Sequence, residues 1–322
     1  MIVATLVSVA APAAEVAPRV RSCYDVLSLW PACGLSDFTD GKYAPGEPNS
    51  RRAYLAAQHR QAEYLLDQAR VSAGSRLLDI GCGYGRVLKQ ARDRGARGVG
   101  VTISPQQADR CGRDGLDVRL LNYRDILSLP EAEWRGAYCA VIANGSLEHF
   151  VQPDQAARGE TDAVLHEFFT TSRYALSSGG RLVTTAIHFV REGQYDPRDV
   201  MQSPDHWPHG SELYHCSSLQ RSFGGWYPEP GQLERCAAGN FTLLREEDGT
   251  HDYLMTSEYW MRRVRRQLML NPRAWWSAGG ALAKWPRQSL QMLRCLLLDE
   301  SWTKQFRSPA PTRLLRQTWR AV

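Results

Sequence analysis

The segment Asp79-Ile-Gly-Cys-Gly-Tyr-Gly85 stands between a strand-like run, Arg76 to Gly81, and a helix-like run that begins after Gly85. Glycines at alternate positions remove side chains where backbone must approach a ligand. A glycine-rich turn that ends a strand and opens a helix is where an α/β sheet takes an adenine-bearing cofactor. The flanking pattern repeats this unit. Gly98 to Ser104, Asp117 to Asn122, Ala137 to Ala143 and Gly180 to Ile187 read as further strands, with helical residues after Pro105 and from Val164 to Leu176. Strand, helix, strand in this order implies a parallel, doubly wound, Rossmann-like α/β sheet.

A lone glycine pattern does not choose among cofactors. Two features favour S-adenosylmethionine over a dinucleotide. The G-x-G-x-G spacing preceded by Asp79 is the methyltransferase form, whereas the dinucleotide fingerprint places its last glycine one residue later. The end of the second strand also lacks the acid that would hold a dinucleotide ribose, and offers the neutral groups of Thr102, Ser104 and Gln107 instead. Asp79, Gly81, Gly83, Gly85, Thr102, Gln107 and Asn144, at the end of the fourth strand, are candidate cofactor contacts.

Around this core the 322 residues divide further. Residues 1–20 imitate a secretory signal without its basic start and are too short and proline-broken to span a bilayer, so a flexible leader is expected. Residues 21–75 are expected to form a helical cap, with an amphipathic helix from Arg51 to Val71 that carries Tyr54, Leu55, Tyr64 and Leu65. The core is expected over 76–260, interrupted by a polar lid at about 191–225 and resumed by a strand at Phe241 to Glu246. Residues 261–322 read as a helical addition rich in Trp and Arg.

The net charge of +5 is mild and sits largely in that last region, so no nucleic-acid partner is expected. The run Arg262 to Arg266 with nearby tryptophans makes peripheral contact with anionic lipid a candidate role. Eight cysteines without C-x-x-C spacing read as reduced thiols of a cytoplasmic protein, which could be membrane-associated. His206, His209 and His215 match no zinc spacing, so no metal is expected. Nothing in the pattern addresses the oligomeric state.

Further residues carry a family resemblance. Leu78 to Gly85, Gly100-Val-Thr-Ile-Ser-Pro-Gln-Gln107, Asn122-Tyr-Arg-Asp125 and Gly145-Ser-Leu-Glu-His-Phe150 occur in this order. With Gly225-Trp-Tyr-Pro228, Gln232-Leu-Glu234 and His251-Asp-Tyr253, they resemble the cyclopropane-fatty-acid synthase and mycolic-acid methyltransferase family of class I methyltransferases. The resemblance spans roughly Tyr24 to Trp260. It implies cofactor contacts at Gly81, Gly83, Thr102, Ile103 and Gln107, with Tyr123 near the adenine. It also implies an alkene acceptor attacked at the sulfonium methyl, whose cationic product a base or an aromatic wall must manage.

In that family a bound bicarbonate takes the proton, held by a cysteine, a glutamate, a histidine, an isoleucine and a tyrosine. Glu148, Ile187 and Tyr253 match this set, whereas the cysteine position falls near Asp37 and the histidine position on Thr185. An anion beside Asp37 and without an imidazole would be held poorly, so bicarbonate is a doubtful cofactor. Glu148, expected to open a helix, and Tyr253 are the catalytic candidates, and His149 is expected to point elsewhere. Tyr24 and Trp30 belong to a segment that the family uses as a cofactor cap.

The expected activity is methyl transfer to carbon of an unsaturated, apolar, lipid-like or isoprenoid-like acceptor. The alternatives are cyclopropane-fatty-acid synthesis proper, O- or N-methylation of a small metabolite, and non-catalytic cofactor binding at a membrane.

Overall fold

The computed structural model describes Cys23, Val26, Leu27 and residues 29–35 and 37–322. The expected leader, residues 1–20, and Tyr24 lie outside the described residues.

The core is a seven-stranded sheet in the order β3-β2-β1-β4-β5-β7-β6. Its strands are β1 Arg76–Ile80, β2 Arg97–Thr102, β3 Asp117–Leu120, β4 Tyr138–Asn144, β5 Leu176–Phe189, β6 Phe241–Asp248 and β7 Thr312–Ala321. The first five pair in parallel, and β7 runs antiparallel to both β5 and β6. Parallel strands covered on both faces read as continuous apolar runs, and Leu77, Leu78, Val141 and Ile142 in the central strands are buried.

The helices used below are α1 Arg51–Gln68, α2 Arg86–Asp93, α3 Pro105–Arg113, α4 Thr161–Ala175, α5 Glu212–Phe223, α6 Thr250–Leu270, α7 Pro272–Lys284 and α8 Pro286–Leu293. Their starts obey local chemistry. Ser50, Ser104 and Ser211 each accept a backbone N–H from the first turn of α1, α3 and α5, which satisfies a donor that the helix itself cannot. Pro105, Pro272 and Pro286 occupy first-turn positions where a missing N–H costs nothing. In α1, Tyr54 and Leu65 are buried as expected, but Leu55 is exposed and Tyr64 is half-buried. The inward face carries Gln58 and Gln61 instead.

The structure corrects two expectations. The region 261–322 is helical only in part. Helical turns run to Lys304, and residues 312–321 then form β7, a full strand inside the sheet. Leu182 pairs with Trp319 and Leu243 also pairs with Trp319, so the core closes through the chain's last residues rather than near residue 260. The strand was hidden because it is buried on both faces and carries a charged Arg316 among its buried positions, which removes the alternating pattern.

The second correction concerns the polar segment 191–225, which ends in the twelve-residue helix α5. Its buried positions include Ser217, Ser218, Gln220 and Ser222, so it shows no apolar periodicity. His209 and His215 tie this segment to Asp299 and Ser301, at 3.2 and 2.8 Å. All eight cysteines are free thiols. Among the described residues no helix is long and apolar enough to cross a membrane.

Candidate active site

In this strand order the sheet reverses direction of growth between β1 and β4, and their carboxyl ends diverge into a crevice. A cavity of about 450 Å³ opens there. One end is built from the turns after β1, β2, β3 and β4. Asp79, Gly81, Gly83, Thr102, Ile103, Gln107, Tyr123 and Asn144 all line it.

The three motif glycines have different reasons to be glycine. All adopt positive φ. A Cβ on Gly81 would lie 2.5 Å from the Ser146 side chain, and one on Gly85 would lie 2.4 Å from Leu116 and 3.2 Å from the Cys111 sulfur. Only a Cβ on Gly83 would meet open space, because that position faces the cavity. Gly85, expected to touch the cofactor, is absent from the cavity wall. It caps α2 in left-handed conformation and keeps room for α3 and Leu116.

The neutral groups at the end of β2 are held by each other. Thr102 Oγ1 donates to Gln107 Oε1 at 2.7 Å and accepts from the Ser104 N–H at 3.2 Å. Tyr123 packs its ring 4.4 Å from that of Phe150. Asn144 accepts from Gln61 at 3.2 Å, and Gln61 in turn accepts from Arg316 at 2.8 Å. Asp79 is buried at the end of β1, and burial, reinforced by Cys111, pushes its carboxyl up to about 8.

The other end is apolar and comes from distant parts of the chain. Leu27, Ile187, Leu219, Phe223, Tyr227, Tyr253, Trp302 and Leu314 form its walls. The rings of Phe223 and Trp302 lie 4.6 Å apart, edge to face. Trp30, expected near the cofactor, packs behind this wall, stacked on Trp302 at 6.4 Å. Four of these wall residues, Leu219, Phe223, Trp302 and Leu314, belong to the segment expected as a loop or to the chain beyond the quoted motifs, and no local pattern marked them.

Glu148 stands where the two ends meet. It belongs to a three-residue 3-10 turn, Leu147–His149, rather than the start of a long helix, so stabilisation of a helix terminus does not account for it. It is buried on the cavity wall and its Oε2 has no partner. Burial raises its pKa to about 8, its own backbone N–H pulls the other way, and nearby Asp40 raises it further. Tyr253 is held well above the usual phenol range by burial and then by Glu148 and Asp40. His149, expected to point away, also lines the cavity, and burial lowers its pKa to about 4.

Asp40 is a cavity residue that sequence reasoning missed. Burial raises it to about 6 against the opposing pull of Arg316, whose guanidinium lies 3.3 Å away. Arg316 is fully buried on β7 and also donates to Asp252 at 2.8 Å and to the Gly41 carbonyl at 2.9 Å. A Cβ on Gly249 would fall 2.4 Å from this guanidinium. Because Asp40 and Arg316 lie 276 positions apart, no motif links them.

Asp37, at the family's cysteine position, is already engaged on both oxygens. Arg86 lies 2.7 Å from Oδ2, while Gln58 and the Thr39 N–H donate to Oδ1. Thr185 is fully buried in β5 and does not reach the cavity.

Residues 48–270 match the family described as mycolic acid cyclopropane synthetase. A protein named "Probable fatty acid methyltransferase" from Pseudomonas putida is 28% identical over 246 residues, which cover 67% of this chain and 53% of that protein. The chain spans about half, or less, of the length of the curated relatives it matches. Among solved structures, the cyclopropane synthase MmaA2 from Mycobacterium tuberculosis superimposes with a TM-score of 0.67 at 19% identity, covering 94% of this chain and 97% of that one. A geranyl diphosphate C-methyltransferase from Streptomyces coelicolor gives 0.60 at 20%, covering 96% and 100%. These likenesses show a class I methyltransferase fold, and the family match over most of the chain shows that it belongs to the mycolic acid cyclopropane synthetase family.

Proposed function

We propose that the chain is an S-adenosylmethionine-dependent methyltransferase that methylates carbon of an unsaturated, uncharged, lipid-like acceptor, with Glu148 as the base. The observation that carries this reading is the partnerless Oε2 of Glu148, buried between the glycine turn and an aromatic, apolar pocket.

The cavity suits the cofactor. Gly83 leaves a cradle that any side chain would fill, and the buried carboxyl of Asp79 matches a ligand that carries positive charge. Thr102, Ile103, Gln107, Tyr123 and Asn144 complete that end. When bound, the cofactor supplies an electrophilic methyl on a sulfonium. The acceptor's double bond forms the new carbon–carbon bond as the carbon–sulfur bond breaks, which leaves positive charge on the neighbouring acceptor carbon. The rings of Tyr227, Tyr253 and Trp302 favour that charge, and Glu148 removes a proton from an adjacent carbon. The product is a methylated or methylene-bearing alkene.

The charge balance of the walls supports an uncharged acceptor. Of the acids on the cavity wall, Asp37 is bound to Arg86, Asp40 lies beside Arg316, and Asp79 and Glu148 are buried with raised pKa values; of the cations there, Arg86 is bound to Asp37 and Arg124 to Glu167. A diphosphate group would find both of these cations already engaged by carboxylates, and the remaining acids are buried groups that favour their neutral form. Bicarbonate is disfavoured because the family's holding set lacks its cysteine and histidine in this chain, where Asp37 and Thr185 stand instead.

The test is turnover with methyl-labelled cofactor on unsaturated phospholipid and on geranyl diphosphate, in carbonate-free buffer and with bicarbonate restored. Labelled methyl or methylene on the lipid without bicarbonate supports the reading. A strict bicarbonate requirement with a cyclopropane product, or labelling of the diphosphate alone, overturns it.

A further inference from the structure

Between Tyr259 and Leu298 the chain carries Arg262, Arg263, Arg265, Arg266, Arg273, Lys284, Arg287 and Arg294 and no carboxylate. The structure divides this charge. Arg263 donates to the Cys33 carbonyl at 2.9 Å, Arg265 pairs with Glu300 at 2.8 Å and Arg294 pairs with Asp205 at 3.0 Å. These three serve packing. Arg262 is exposed but donates to the Asn49 carbonyl at 2.8 Å, whereas Arg266 near the end of α6, Arg273 in the first turn of α7 and Arg287 in the first turn of α8 are exposed to solvent.

In sequence the exposed arginines flank an apolar face of α7. Ala274 is buried in the first turn of α7, and Asn271, at the helix's N-cap, donates to the Ala32 carbonyl at 3.2 Å. The opposite face puts Pro272, Trp275, Gly279 and Ala283 at steps of three to four residues into solvent, with Trp276 beside them. Trp275 is 64% exposed and Trp276 87%, and Met269 and Leu270 at the end of α6 extend the patch at 72% and 67%. Isolated exposed apolar residues are ordinary, but a contiguous patch with two tryptophans marks a binding surface.

We propose that this face docks on the surface of an anionic lipid bilayer, with Trp275 and Trp276 in the headgroup layer and Arg266, Arg273 and Arg287 against the lipid phosphates. Charge complementarity selects this occupant. A segment that carries only cationic charge from Tyr259 to Leu298 suits a negatively charged surface, and tryptophan rings favour the boundary between headgroups and acyl chains. A second copy of this face would bring like charges together. The docked helices are also those that hold the acceptor end of the cavity. α7 packs on the turn Leu29–Ala32 that follows cavity residue Leu27, and Gln291 in α8 donates to Ser218 in α5 at 3.3 Å, beside cavity residue Leu219.

The experiment is co-sedimentation of the full chain with vesicles of phosphatidylcholine alone and of phosphatidylcholine with phosphatidylglycerol, at low and high salt. The expected result is binding to the anionic vesicles that falls roughly tenfold or more between low and high salt. The double variant Trp275→Ala, Trp276→Ala loses roughly tenfold in vesicle affinity with an unchanged melting temperature, since neither ring is packed. Methyl transfer to a detergent-dispersed acceptor stays normal in that variant, so failure of docking is separable from failure of the proposed chemistry. Unchanged vesicle binding by the double variant, or binding indifferent to lipid charge, overturns the proposal. So does self-association of the native chain, seen by sedimentation velocity, that the double variant abolishes, because a second copy would then cover the face.

Discussion

The two ends of the cavity are built by opposite means. The glycine-turn end comes from four successive connections at the carboxyl ends of β1 to β4, each positioned by its own strand, so its residues sit within about 65 positions of one another, Asp79 to Asn144. The apolar end draws Leu27, Glu148, Leu219, Tyr253, Trp302 and Leu314 from nearly the whole chain. A cofactor end made by local backbone geometry tolerates little variation. An acceptor end made by distant side chains can change while the sheet remains.

Substitutions at the two ends should therefore separate cofactor binding from acceptor handling. The largest effect is expected at Gly83. Gly83→Val puts a branched side chain into the cofactor's space at φ +54°, and calorimetry should detect no S-adenosylmethionine binding. Gly83→Ala, with milder backbone strain, guards against simple unfolding and should still weaken binding at least tenfold. Full affinity in either folded variant would break the comparison at its cofactor side.

Glu148→Gln keeps shape and removes the base. Turnover should fall roughly a hundredfold or more, with cofactor affinity nearly unchanged. In the native chain, with Glu148 raised to about 8, kcat/KM for the acceptor should rise with pH toward about 8 and then level, and the variant should lose this limb. The stability sign is opposite. A carboxyl whose folded pKa lies above its ordinary 4.5 contributes most below that value, and the contribution is lost as pH rises through about 8. Glu148→Gln should therefore melt later than the native chain at pH 8 and above, and thermal scans at pH 5 and 8.5 check this.

Arg316→Met leaves buried Asp40 and half-buried Asp252 without their cation. A loss of roughly 3–5 kcal/mol is expected, read as a drop in melting temperature on the order of 10 °C. The smallest effect is expected at Trp302→Ala, which opens the aromatic wall. The acceptor KM should rise several-fold while the cofactor Kd stays put. A change in cofactor Kd instead would show that the two ends are not independent.

The same division explains what could be read from the chain before folding. The strand, turn and helix around Gly81 to Gly85 are specified by adjacent residues, so their place in the sheet and on the cavity wall was legible. The motifs named Glu148 and Tyr253, which both line the cavity, but not Glu148's setting in a short turn. α5 stayed hidden because serine and glutamine fill its inner face, and β7 because a charged arginine sits at its centre. Asp40 had no signal at all, since its meaning depends on Arg316 at the far end of the chain. Gly85 shows the converse case: a motif position that packing against Leu116 alone already requires to be glycine.

The placement of β7 between β5 and β6 also bears on how the protein is made. A nascent chain that has not yet released residues 312–321 from the ribosome presents β5 and β6 with facing edges unpaired, and with Asp40 and Asp252 lacking their guanidinium. Such edges invite pairing with other chains. Completion of the sheet is thereby deferred until synthesis has passed Ala321, and a ribosome stalled before Thr312 would hold a chain with a formed glycine turn and no closed acceptor pocket.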